Sequence, residues 1–166
     1  MTEPASGAPG NPFEEWDAAR VREIATSLAG LDGPCLPVLH AVQDTFGYIH
    51  PDAIPIVADV LNLSRAEVVG IVSFYHDFRH APPGEHVLRV CRAESCQSMG
   101  AERLVRDLTR ALHAAPGTTS ADGTVTFDSV YCLGNCALSP AAMLDGRLLG
   151  RVTPQRIEAL LARPTA

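Results

Sequence analysis

A chain of 166 residues with 46% hydrophobic content buries one good core or two small ones. Mean hydropathy near zero and the lack of a long apolar run exclude a transmembrane helix. A formal charge of −6, with no basic stripe, excludes nucleic acid as a natural partner.

The charge is unevenly spread. Residues 1–80 hold 11 acids and 4 bases, whereas residues 81–166 hold 8 acids and 9 bases. All the bases are arginine, which reads as a bias of genome composition. The acidic first half suits either a basic partner or a solvated helical surface. Met1 to Asn11 is small, polar and proline-containing, with neither a basic nor an apolar region of the kind a secretory signal needs. It reads as a disordered leader, and cytoplasm is the expected compartment.

The first half reads as helices. Asn11 and Pro12 suit the start of a helix carrying Glu14 and Glu15 in its first turn, with Phe13, Trp16, Val21, Ile24 and Leu28 on one face and Gly30 at its end. A second helix begins near Asp32-Gly33-Pro34, with a Leu36, Leu39, Val42, Phe46 stripe and Gly47 as its stop. Pro51 opens a third, with Ile54, Val57 and Leu61 inside. Ser64-Arg65-Ala66-Glu67 has the form of a capping box for a fourth, carrying Val68, Val69 and Val72. Four short helices predict a bundle over residues 12–80.

His80-Ala81-Pro82-Pro83-Gly84 breaks the helical pattern and marks a domain boundary. Beyond it the period changes. His86 to Val90 reads as a strand running into Cys91, followed by a helix from about Ser98 to His113 with Leu104, Val105, Leu108 and Leu112 inward. Pro116 to Gly123 reads as a loop. Val125 to Tyr131 is a second strand that delivers Cys132. Asp145-Gly146 between Ala142-Met143-Leu144 and Leu148-Leu149 is a hairpin signal. Thr153 and Pro154 begin a last helix with Ile157, Leu160 and Leu161 inside. The order β-α-β-β-β-α suggests a small sheet with helices packed on it, close to a thioredoxin-like layout, over residues 81–166. The fold class expected is therefore α+β, a helical bundle followed by a thioredoxin-like α/β domain.

Four cysteines stand as Cys91-x4-Cys96, a gap of 35 residues, and Cys132-x3-Cys136. Each pair begins where a strand is expected to end, so both project from one edge of the sheet and can converge. Four thiolates form the soft, anionic ligand set that iron–sulfur clusters require. Gly134 lets the backbone approach, Asn135 and nearby amides offer donors to sulfur, and Arg92 offers positive charge that raises a potential. Spacing leaves alternatives open. Structural zinc favours C-x2-C knuckles, and a thioredoxin-type redox pair needs C-x-x-C, which is absent. Two disulfides fit the number but not the compartment.

Cys91-Arg92-Ala93-Glu94-Ser95-Cys96, with Cys132-Leu133-Gly134-Asn135-Cys136-Ala137-Leu138-Ser139-Pro140, resembles the thioredoxin-like [2Fe–2S] ferredoxin family. That family includes the 24-kDa subunit of respiratory complex I and the gamma subunit of soluble NAD-dependent formate dehydrogenases. Leu36 to Gln43, Phe46 to Ile49 and Val72 to Tyr75 are similar to its helical half. Cys91 to Gly100 and Asn135 look closer to the formate dehydrogenase gamma subunit; an NAD-reducing hydrogenase subunit is a near neighbour. The resemblance implies one [2Fe–2S] cluster on Cys91, Cys96, Cys132 and Cys136. It further implies electron relay to a flavin (FMN)- and NAD-binding subunit, and a larger catalytic subunit, which in a formate dehydrogenase carries molybdenum.

The chain shows no catalytic triad and no glycine-rich nucleotide loop. Cys35 reads as a small buried hydrophobe rather than a reactive thiol. His86 is the one histidine close to a cysteine strand, and a satisfied histidine is its simpler reading. Phe74 and Tyr75 read as core residues at the junction, and Arg103 and Arg106 as a solvated helix face.

Overall fold

The computed structural model describes residues 13–162. The chain divides between Pro82 and Pro83 into two compact units. The expected leader over residues 1–11 and the capping role of Asn11 and Pro12 lie outside the described residues.

The first unit contains α1 (Ala18–Leu28), α2 (Cys35–Phe46), α3 (Ala53–Leu61) and α4 (Arg65–Phe74). Its core joins Val21 and Ile24 of α1, Val38, Leu39, Val42 and Phe46 of α2, Val57 of α3, and Val68 and Val72 of α4. The first helix starts later than its sequence suggests. Asp17 is its cap, accepting a hydrogen bond from the Ala19 amide. The preceding residues Phe13 to Asp17 are not helical. They lie along α2 instead: the Glu14 amide donates to the Thr45 carbonyl, and Trp16 stacks on His50 with ring centroids 4.2 Å apart.

Gly47 ends α2 in the left-handed region at φ 80°. A Cβ there would meet the Phe13 ring at 2.7 Å, so the same glycine also admits the incoming chain. The third helix begins two residues after Pro51, where the Asp52 amide donates to Nδ1 of His50. Both halves of the Ser64–Glu67 capping box are formed. Val69 is 44% exposed, so the buried stripe of α4 is Val68 and Val72, one turn apart. Phe74 and Tyr75 are exposed rather than packed in the core, at 73% and 42%.

The second unit is a five-stranded sheet with helices. Its strands are β1 (His86–Cys91), β2 (Thr118–Thr119), β3 (Val125–Val130), β4 (Ala142–Leu144) and β5 (Arg147–Leu149), in the order β2-β3-β1-β4-β5. β1 and β3 are parallel and central; the other pairings are antiparallel. Leu88 and Val90 of β1 and Val125 and Phe127 of β3 share one face. They form a single core with α6 (Ala101–Leu112) and α7 (Pro154–Leu161).

Two elements depart from the expected order. A short helix, α5 (Glu94–Ser98), precedes the expected one, which is α6, and Gly100 at φ 89° turns the chain between them. The loop from Pro116 to Gly123 contains β2, which pairs Thr118 with Phe127 and Thr119 with Thr126 at the sheet edge. Two residues are too few for an alternation pattern to show in sequence. The hairpin forms as expected, with Asp145 at φ 49° and Gly146 at φ 76°.

Candidate metal centre

The register of the central strands positions the cysteine motifs. Cys91 is the last residue of β1 and pairs in parallel with Val130, the last of β3. Parallel strands end at the same side of a sheet, so the chain leaves β1 at Cys91 and β3 two residues before Cys132 on one edge. A five-residue helix, α5, then returns Cys96 to the edge, while Cys136 opens a single 3-10 turn through Leu138.

The two pairs differ in setting. Cys91 and Cys96 are buried at 3% and 2% exposure, packed with Ala101 and Ala141 and flanked by Ala93, Val130 and Leu133. Cys132 and Cys136 are exposed. Burial pushes the Cys91 thiol up against the pull of the Ala93 amide, and its neighbour Cys96 adds to the rise. Burial opposes ionisation of Cys96 too, but the Ser139 hydroxyl, the Ala141 amide and the Cys91 thiol outweigh it and hold Cys96 below the ordinary thiol value.

Contacts cross between the motifs. Ser95 Oγ, inside the first motif, lies 3.4 Å from the Cys136 carbonyl of the second. Ser95 and Ser139 lie with their hydroxyls 2.9 Å apart, and Ser139 Oγ stands 3.5 Å from Cys96 Sγ. Within the second motif the Gly134 amide donates to Cys132 Sγ over 3.3 Å, a turn that Gly134 makes at φ 72°. Among the described residues, no three Cys, His, Asp or Glu side chains gather closely enough to hold a single metal ion.

A model of the thioredoxin-like [2Fe-2S] ferredoxin family matches residues 21–164. The chain belongs to this family. Its cofactor is accordingly a [2Fe–2S] cluster. The donor set fits the group: a two-iron cluster takes two thiolates on each iron, and the two cysteine motifs at one edge of the sheet supply four. The Gly134 amide already directed at Cys132 Sγ is a donor of the kind such a thiolate set needs.

Relatives of this ferredoxin-family chain are components of larger oxidoreductases. The NADP-reducing hydrogenase subunit HndA of Solidesulfovibrio fructosivorans is 34% identical over 142 residues, covering 86% of this chain and 83% of that protein. NADH-quinone oxidoreductase subunit 2 of Thermus thermophilus is 38% identical over 128 residues, covering 76% and 71%. An NADH-quinone oxidoreductase subunit of Pseudomonas aeruginosa is 36% identical over 126 residues, covering 76% of each. A crystal structure of an air-oxidized NAD+-reducing [NiFe]-hydrogenase superposes on 76% of this chain with a TM-score of 0.66 and 26% identity. This chain spans 22% of that hydrogenase chain.

Two neighbours in the family motif, Arg92 and Asn135, behave differently from their reading in sequence, whereas His86, Cys35 and Arg103 match theirs. Arg92 is held by Glu102 through two 2.9 Å hydrogen bonds, so its charge is not offered freely to the site. Asn135 is wedged beside Gly150, where an added Cβ would meet its side-chain nitrogen at 3.0 Å and Leu138 Cβ at 2.5 Å. His86 is buried and bonded to Asp145 at 2.7 Å, tying the start of β1 to the hairpin at the end away from Cys91. Cys35 is buried in the first unit, and burial raises its thiol. Arg103 is exposed and faces Asp107 at 3.6 Å, on a solvated helix face. Ser95, Ser139, Glu102 and Gly150 escape sequence reasoning. Only Gly150 has a visible signal, as a glycine just after a hairpin with no turn to make.

Proposed function

We propose that Cys91, Cys96, Cys132 and Cys136 are the four ligands of the cluster, Cys91 and Cys96 serving one iron and Cys132 and Cys136 the other. The observation that carries this reading is the contact between the motifs: Ser139, three residues after Cys136, holds its hydroxyl 3.5 Å from Cys96 Sγ of the other pair and 2.9 Å from Ser95 Oγ beside it. When bound, the cluster accepts and releases one electron at a time. The chain's own residues bury Cys91 and Cys96, direct the Gly134 amide at Cys132, and leave Cys132 and Cys136 open to a partner.

The chain works as an electron-transfer subunit of a multi-subunit NAD-dependent oxidoreductase. Its immediate partner is a flavin (FMN)- and NAD-binding subunit, and a larger catalytic subunit completes the assembly. The named relatives, a hydrogenase subunit and quinone-oxidoreductase subunits, support this common role. The sequence of Cys91 to Gly100, with Asn135 between the second pair, favours a soluble molybdenum-containing formate dehydrogenase as the particular enzyme. Five free cysteines and no disulfide among the described residues suit the cytoplasm. No described helix is long and apolar enough to cross a membrane. The acidic first half, including exposed Glu14 and Glu15, is the docking surface, and reversing both charges weakens co-purification with the flavoprotein.

Anaerobic purification followed by iron, sulfide and zinc analysis and EPR tests the ligand assignment. Two irons and two sulfides per chain, with a rhombic signal only after dithionite, are expected. Alanine at any one of the four cysteines removes most of that iron. One zinc without sulfide replaces this reading with a structural module. Co-purified FMN and formate-dependent NAD reduction by the assembly test the partner and substrate assignments.

A further inference from the structure

Ser139 stands between the two cysteine pairs and is 8% exposed. Its hydroxyl has three neighbours: the Cys136 carbonyl at 2.8 Å, Ser95 Oγ at 2.9 Å and Cys96 Sγ at 3.5 Å. Ser95 Oγ itself lies 3.4 Å from the same Cys136 carbonyl. Two hydroxyl protons therefore serve a carbonyl, a sulfur and one another.

A serine hydroxyl carries one proton and two lone pairs. In the thiol form Cys96 has a proton to give, and Ser139 is free to direct its own at the Cys136 carbonyl. A metal-bound thiolate has no proton and only accepts. Ser139 then meets that need by turning its proton to Cys96 Sγ. Ser95 remains within reach of the Cys136 carbonyl, so the turn leaves neither acceptor without a donor.

We propose that in the cluster-loaded protein Ser139 donates to Cys96 Sγ, backed by Ser95, and thereby raises the reduction potential. It is a positioning residue that acts through a ligand. Its effect follows from charge: reduction adds an electron to the site, and a hydrogen bond at sulfur stabilises the more negative state more. The inference rests on the assignment of Cys96 as a ligand.

The test is an EPR-monitored redox titration of the full chain as wild type, S139A, S139T and S95A, with iron and sulfide counted in each. Removing the hydroxyl in S139A is expected to shift the potential negative by a few-fold to tenfold in the one-electron equilibrium constant, up to ~59 mV. S139T restores most of the shift because it restores the hydroxyl, and S95A gives a smaller shift of the same sign. A loaded S139A with the wild-type potential overturns the role of Ser139 and leaves the ligand assignment standing. Wild type without iron overturns both. Should S139A fail to hold iron, a crystal structure of the loaded wild type decides: Ser139 Oγ within about 3.5 Å of Cys96 Sγ supports the donor role, and separation beyond hydrogen-bond reach overturns it.

Discussion

Arg92 and Glu102 form a two-pronged ion pair, Nε to Oε1 and Nη2 to Oε2, each at 2.9 Å. The pair fastens the residue after Cys91 to the first turn of α6. It also holds the Glu102 carboxyl below the usual carboxylate range, chiefly through its hydrogen bonds from Arg92. The positive charge beside the first cysteine is thus balanced within the chain.

Opposite shifts follow from breaking the pair at either end. E102Q leaves Arg92 uncompensated beside Cys91 and is expected to raise the reduction potential. R92Q leaves the Glu102 carboxylate uncompensated and lowers it. Both side chains are partly exposed, so solvent limits each effect to a few-fold in the one-electron equilibrium constant, where tenfold is ~59 mV. Redox titration of the two variants checks the signs; shifts in the same direction would contradict this account.

Gly150 holds the second cysteine loop in place by having no side chain. A Cβ there would meet Leu138 Cβ at 2.5 Å and the Leu138 carbonyl oxygen at 3.1 Å, while Arg151 donates its amide to that same carbonyl over 2.6 Å. G150A must therefore push the turn from Cys136 to Leu138 outward. A cost of about 1–3 kcal/mol is expected from such overpacking. Iron and sulfide per chain fall below half of wild type, and visible absorbance decays several-fold faster under a chelator. G30A, at a glycine with nothing within 4 Å, is the control and leaves both unchanged.

The sequence carries the parts of this fold that depend on local chemistry. The Ser64–Glu67 box, the Gly47 stop and the Asp145-Gly146 hairpin each need only neighbours in the chain. The misjudged parts depend on distant residues. Phe13 reads as helical by its spacing from Trp16 and Val21, yet it leaves the helix to pack over Gly47. Phe74 and Tyr75 read as core by residue type alone, and only three-dimensional placement shows them exposed. At the candidate centre the cysteines and their spacing are legible. The Ser95–Ser139 bridge is not, because it joins residues 44 positions apart with no periodic signal.

Cys35 is predicted to be inert and separable from the cluster. Its thiol is buried in the first unit and pushed up by that burial, so little thiolate exists at neutral pH to react. In the native, cluster-free chain, iodoacetamide modifies Cys132 and Cys136 first and Cys35 only after unfolding. C35A keeps full iron and sulfide content and the wild-type EPR signal, at a cost of about 1 kcal/mol in stability. Loss of the signal in C35A would place this thiol in the redox chemistry.

The capping box of α4 gives the first unit a pH-dependent element. Ser64 Oγ accepts from the Glu67 amide at 3.2 Å, and Glu67 Oε2 accepts from the Ser64 amide and hydroxyl, each at 2.8 Å. Those bonds, that from the Ser64 backbone first, hold the Glu67 carboxyl below its ordinary value of 4.5. A carboxyl whose pKa is depressed by folding binds its proton more readily in the unfolded chain. Its contribution is complete above the ordinary value and disappears as pH falls through the folded one. The wild type therefore loses thermal stability below about pH 4.5 more steeply than E67Q, which has no such carboxylate to protonate. S64A removes the helix cap and costs about 1 kcal/mol at neutral pH. It also flattens the acid limb, because Glu67 then loses the hydroxyl donor. Melting curves of the three proteins between pH 3 and 7, followed by far-ultraviolet circular dichroism, check both effects. Parallel wild-type and E67Q profiles would mean that solvent satisfies the Ser64 amide equally well.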